Sequence, residues 1–144
     1  MTNKIYLTWD EFHSHAKLLV SKIKSSGTEY NRIVAVSRGG LIPAGILAYE
    51  LDIRNCDTIN MASYDGTKKR NDDEIKIAET LQNIDDKTLI VDDLSDSGRT
   101  FRILRKLYPQ ACFVAVYSKE KGKDVVDIFA SEMPDNWIVF PWDL

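Results

Sequence analysis

Apolar residues in this chain come in short runs, each ending in a polar loop. Ile33-Val34-Ala35-Val36 and Thr88-Leu89-Ile90-Val91 are continuous and rich in β-branched residues. A run without polar alternation fits a strand covered on both faces, as in a parallel sheet. Cys56 to Met61 and Cys112 to Tyr117 read as further strands, Val125 to Ala130 as a fifth, and Ile5 to Thr8 as a short one at the start. Helical spacing fills the gaps. Phe12, Ala16, Leu19, Val20 and Ile23 define one buried face, preceded by Thr8 and Glu11 at capping-box spacing and closed by Gly27. A second helical pattern covers Leu41 to Leu51, and a third follows the Leu94–Gly98 loop and runs through Tyr108 to a stop at Pro109. Strands alternating with helices predict a single α/β domain over residues 1–144, with a central, mainly parallel sheet flanked by helices. Ligands bind such sheets beyond the carboxyl ends of the strands. The loops beginning at Ser37 and Asp92 lie at that end.

Composition adds exclusions. Of 144 residues, 44% are hydrophobic and 28% charged, which excludes wholesale disorder and collagen-like repeats. The net charge of −3 argues against a nucleic-acid coat protein. No apolar run approaches the length of a membrane span, and Met1 to Asp10 lacks a signal-peptide core. Cys56 and Cys112 are too few for a tetrahedral metal site and read as two buried thiols of a cytoplasmic protein. His13 and His15, two apart on the first helix, do not share a face, and no catalytic role is expected of them. The basic stretch Arg99, Arg102, Arg105 and Lys106 reads as a solvated face or subunit contact rather than an RNA site. The polar segment Tyr64 to Glu74, with Lys68-Lys69-Arg70 at its centre, is too long for a tight turn and reads as a functional lid.

Asp92-Asp93-Leu94-Ser95-Asp96-Ser97-Gly98-Arg99-Thr100 carries the most chemistry. Two adjacent carboxylates at the end of a buried strand repel each other and call for a metal ion, a polyol or hydrogen-bond donors. The hydroxyl- and glycine-containing loop that follows opens into a helix, whose backbone N–H groups and dipole form an anion site. Acidic pair and anion cradle together fit a ligand with both hydroxyls and phosphate, such as a ribose phosphate. An acidic pair alone would equally suit an N-capped helix with a solvated turn.

At this point the chain resembles the type I phosphoribosyltransferases. Val91 to Thr100 is similar to their signature for 5-phosphoribosyl 1-pyrophosphate (PRPP), with Ser97 where threonine is usual. Ser37-Arg38-Gly39-Gly40 resembles their pyrophosphate loop, in which a cis peptide is expected between Ser37 and Arg38. Thr8-Trp9-Asp10, Ser63-Tyr64-Asp65, Tyr117-Ser118-Lys119, Asn136-Trp137-Ile138 and Pro141-Trp142-Asp143 narrow the likeness to the bacterial xanthine-guanine group and extend it over nearly the whole chain.

The resemblance implies transfer of the phosphoribosyl group from PRPP to a 6-oxopurine (guanine, xanthine or hypoxanthine), with Mg2+ as cofactor. It assigns PRPP to Arg38, Gly39, Arg70, Asp92, Asp93, Leu94, Ser95, Asp96, Ser97, Gly98, Arg99 and Thr100. Asp93 becomes the metal-linked carboxylate and Asp96 the candidate general base near purine N7. Lys119 would donate to the 6-oxo group, Trp137 would stack on the base, and the Ile138 carbonyl would lie near the 2-position. These base-binding residues would form a small hood over about residues 117–144, and a homodimer or homotetramer is expected. Three rivals share some of these features. A receiver domain would place its phosphate-accepting aspartate at an earlier strand. A non-catalytic PRPP- or nucleotide-binding regulator need not keep Arg38, Arg70 and Asp96. A transferase for orotate or adenine would not need Lys119 with Trp137 and Ile138.

Overall fold

A computed structural model describes residues 3–62, 76–77 and 81–143. The elements run β1 (Ile5–Tyr6), α1 (Trp9–Ser25), β2 (Arg32–Ser37), α2 (Leu41–Glu50), β3 (Cys56–Ala62), β4 (Lys76–Ile77), β5 (Thr88–Ser95), α3 (Arg99–Leu107), β6 (Cys112–Lys119), β7 (Ile128–Met133) and β8 (Ile138–Val139). The main sheet has the order β4-β3-β2-β5-β6-β7. Among the described residues, its five longer strands run parallel and β4 runs antiparallel.

Continuous apolar runs serve two cores at once, because side chains alternate across a sheet. Ile33, Ala35, Leu89, Val91, Val114 and Val116 face α1 and α2. Val34, Val36, Ile90, Phe113 and Ala115 face α3 through Phe101 and Leu104. The capping box at Thr8 forms as expected: Glu11 N–H donates to Thr8 Oγ1 at 3.0 Å, and Thr8 N–H to Glu11 Oε1 at 2.8 Å.

Three expectations need correction. The last parallel strand starts at Ile128, not Val125. Glu120–Val125 instead forms a 3-10 turn, in which Val125 is buried against the α3 side of the sheet. Its carbonyl accepts from Arg105 Nε at 2.9 Å. Pairing starts once the Asp127 N–H has bonded the Phe113 carbonyl at 2.8 Å. Second, Cys56 is exposed and Cys112 only half-buried, so neither is a buried thiol. Third, Asp92 and Asp93 lie within β5, which continues to Ser95 alongside Tyr117 and Ser118 of β6.

Both ends of the chain meet in a second, smaller sheet. β1 pairs in parallel with β8, in a sheet of its own. Trp142 stacks on Phe140 at 4.7 Å between centroids and meets Phe12 edge-on at 4.8 Å, which ties the C-terminal segment to α1. Among the described residues, no helix is long and apolar enough to cross a membrane.

Candidate active site

The carboxyl ends of β2, β5 and β6 bring the candidate residues to one edge of the sheet. In the last half of β5, Asp92 Oδ1 accepts from Asp93 N–H at 2.8 Å, and Asp93 Oδ1 from Leu94 N–H at 2.7 Å. Burial, and then the neighbouring Asp93 charge, push the Asp92 carboxyl well above the usual range. Asp93 is also raised, mainly by burial, with the charge of Asp143 adding to it.

Arg38 and Gly39 close against this pair from β2. A Cβ on Gly39 would come 2.5 Å from Asp93 Oδ2, so any larger residue there would force the Asp93 carboxylate to move. The Ser37–Arg38 peptide is cis. Arg38, Gly39, Asp93, Trp142 and Asp143 share a cleft of about 500 Å³.

Beyond the pair, Gly98 at φ +86° turns the chain into α3, and Ser97 Oγ accepts from the first helical N–H, that of Arg99, at 3.4 Å. The start of α3 borders a cavity of about 90 Å³, lined by Asp92 and by Leu94 through Phe101. That wall includes Ser95, Asp96, Ser97, Gly98, Arg99 and Thr100, the residues read as a phosphate cradle. The 3-10 turn braces the cradle from behind. Ser95 Oγ donates to the Gly122 carbonyl at 2.9 Å. A Cβ on Gly122 would come 2.6 Å from the carbonyl oxygens of both Ser95 and Asp96.

Lys119 ends β6 and is only 5% exposed, so it is not a solvated surface lysine. Its Nζ lies 3.3 Å from Asp96 Oδ1 and 3.9 Å from Asp135 Oδ1. Lys121 also reaches both carboxylates, at 3.6 Å and 3.2 Å. A cavity of about 250 Å³ adjoins them, lined by Lys119, Lys121, Glu132, Met133, Pro134 and Asp135. Trp137 is 69% exposed and so is not a core tryptophan, while Ile138 is buried.

Arg70, Lys68 and Lys69, with the whole Tyr64–Glu74 segment, lie outside the described residues. The basic stretch on α3 has structural work: Arg105 pairs with Asp127 at 2.9 Å and covers the Phe113 ring. His15 reaches inward, with Nδ1 2.7 Å from the hydroxyl of buried Tyr117. Burial pushes that hydroxyl well above its ordinary pKa.

Sequence reasoning missed Gly122, Asp135 and the local role of Asp143. A Lys-Gly-Lys run after β6 was the available signal for Gly122. Asp143 closes a turn by accepting from Phe140 N–H at 2.8 Å, and nothing in its spacing points to the cleft.

Among the described residues, no group of three or more His, Cys, Asp or Glu side chains could hold a metal ion alone. The acidic pair nevertheless fits Mg2+, which keeps several waters and typically takes one or two carboxylates plus substrate phosphates. Two crowded carboxyls lifted by burial are a donor set that gains from a cation.

Comparison with known proteins agrees with this geometry. A purine phosphoribosyltransferase from Pyrococcus horikoshii superposes with a TM-score of 0.81 at 30% identity, covering 98% of this chain and 94% of that one. The Helicobacter pylori xanthine-guanine-hypoxanthine phosphoribosyltransferase gives 0.79 at 26% identity, covering 99% and 95%. A Neisseria gonorrhoeae protein with bound ppGpp also gives 0.79 at 26% identity, covering 100% and 91%. The phosphoribosyl transferase domain model matches residues 3–144. With the acidic pair, the Gly98 turn into α3 and the Arg38–Gly39 loop on one sheet edge, this match over nearly the full length makes the chain a member of the phosphoribosyltransferase family.

Proposed function

We propose that the chain is a purine-salvage enzyme that transfers the 5-phosphoribosyl group of PRPP to a 6-oxopurine, yielding a nucleoside 5′-monophosphate and pyrophosphate. One observation carries this reading: a buried lysine, Lys119, stands 3.3 Å from the exposed carboxylate of Asp96 beside the phosphate cradle. An ammonium donor next to a carboxylate acceptor complements the O6 and N7–H of one purine edge. Adenine carries an amine at the 6-position, which offers Lys119 no carbonyl to bond.

In this reading the 5′-phosphate occupies the Ser95–Thr100 cradle. Backbone N–H groups and the helix dipole hold it there. The ribose hydroxyls lie against Asp92 and Asp93, and the pyrophosphate against Arg38 and Gly39. Arg70 and the Tyr64–Glu74 segment belong to the same reading as the lid that excludes water. Asp93 would hold Mg2+ together with PRPP oxygens, and the ion would supply charge neutralisation for the departing pyrophosphate.

Purine N9 forms the bond to ribose C1 as the C1–pyrophosphate oxygen bond breaks. That electron pair leaves with the pyrophosphate. The N7 proton passes to Asp96, the general base. Trp137 offers its exposed ring as a stacking platform, and the Ile138 carbonyl faces the 2-position. Assembly as a homodimer or homotetramer belongs to the same reading. A cytoplasmic location fits a substrate pool of free bases and PRPP.

The test is incubation with PRPP, Mg2+ and each of guanine, xanthine, hypoxanthine, adenine and orotate, with products resolved by chromatography. Conversion of the oxopurines alone is expected. A second reading has the same pocket binding a guanine nucleotide as a regulatory ligand without turnover, and the ppGpp-bound Neisseria relative favours it. Nucleotide binding with no conversion of any base would select that reading.

A further inference from the structure

Among the described residues, β8 belongs to a two-stranded sheet and is paired on one side only. On that side, Ile5 N–H donates to the Trp137 carbonyl at 2.9 Å, and Leu7 N–H to the Val139 carbonyl at 2.9 Å. Successive carbonyls along an extended strand point to opposite edges. The carbonyl between these two, on Ile138, therefore points to the edge of β8 that carries no strand. Asn136 adds a tie on the β1 side, its Nδ2 donating to the Asn3 carbonyl at 2.6 Å. Pro141, two residues past Val139, has no N–H with which to extend the ladder.

The pairing register sets which carbonyl is presented outward. Slipping β8 by one residue against β1 would turn Ile138 toward β1 and expose the Trp137 and Val139 carbonyls instead. The same slip would exchange the faces of the two side chains. The present register keeps Ile138 in the core and leaves the Trp137 ring exposed.

We propose that the N-terminal strand, through the Ile5 N–H and Asn3, is a specificity-determining element that selects for a 2-amino group on the purine by holding the Ile138 carbonyl outward. This inference rests on the reading of Ile138 as the neighbour of the base's 2-position. A carbonyl accepts from the 2-amino group of guanine, whereas hypoxanthine has only a C–H there. Ile5 and Asn3 act through β8 and are positioning residues. The discrimination corresponds to one hydrogen bond, or about tenfold.

The test compares GMP with IMP, which differ only by that amino group. Binding is measured by calorimetry on the full chain, so turnover is not required. Wild-type protein is expected to prefer GMP by about tenfold. Ile5→Pro removes the N–H bonded to Trp137 and is expected to bring the GMP:IMP ratio close to unity, with PRPP affinity unchanged. Asn136→Ala loosens the second tie and is expected to cut the ratio by about threefold. It decides the matter if Ile5→Pro does not fold. An unchanged ratio in the folded variants overturns the proposal. So does parallel weakening of GMP, IMP and PRPP, which marks a merely structural strand. Wild-type protein that binds neither nucleotide overturns the base-site reading along with it. A wild-type preference that survives both substitutions overturns this inference alone.

Discussion

Lys119 Nζ and Asp96 Oδ1 stand 3.3 Å apart, yet one residue is buried and the other exposed. The pair joins the end of β6 to the loop after β5, where the residues proposed for base recognition and for phosphate binding meet. Lys119 is anchored by the sheet, with Tyr117 and Ser118 before it fully buried. Asp96 hangs on a loop braced by Gly122.

Removing the lysine separates these two functions. Lys119→Ala is expected to raise the KM for oxopurines by about 10–100-fold, the effect of a lost hydrogen bond to a charged group. The KM for PRPP is expected to move far less. Steady-state kinetics with each substrate varied in turn checks this, and equal weakening of both would remove Lys119 from the base pocket.

Asp96→Ala bears on the chemical step. Turnover is expected to fall by about 10²–10⁴-fold, the usual contribution of a general base. PRPP binding, measured by calorimetry, is expected to persist. Asp96 is exposed, so its loss leaves no cavity, and thermal stability is expected to change much less than rate.

Gly122→Ala tests the brace. Its methyl group would press on the Ser95 and Asp96 carbonyls, and neither backbone group can yield without moving the cradle. A cost of about 1–3 kcal/mol is expected from such overpacking. Thermal melts and the PRPP KM are the two readouts, and both are expected to worsen.

The acidic pair predicts a pH dependence of stability. Burial raises the folded-state pKa of Asp92 above the ordinary 3.8. The stability this group contributes is complete below that unfolded value and is lost as pH rises through the folded pKa. Asn can still accept the Asp93 N–H without carrying the charge. Asp92→Asn is therefore expected to melt above the wild type at about pH 7, with the difference vanishing at about pH 3. Melting curves across that range, without PRPP or Mg2+, measure it.

Much of this architecture was legible because strong signals coincide. The runs at Ile33–Val36 and Thr88–Val91 need two covered faces, and the structure supplies α1 and α2 on one side and α3 on the other. The Asp92–Thr100 segment announces its chemistry locally, since acidic pair, hydroxyls, glycine and helix start are consecutive. Val125 misled because an apolar pair reads alike as strand or as core plug until Arg105 and Gly98 are placed. β1 and β8 have two residues each, too few for a period to show. Their pairing joins positions 5 and 138, a contact invisible to local pattern. Asp143 reaches the cleft through the stacking of Trp142 on Phe140, which is likewise a tertiary effect.

The most direct test of the central claim is a one-pot competition between hypoxanthine and adenine, with PRPP and Mg2+ in excess. The two bases differ at the 6-position, which Lys119 is assigned to read. Formation of IMP without AMP is the expected result. AMP formed at a comparable rate, or no nucleotide from either base, would contradict the account.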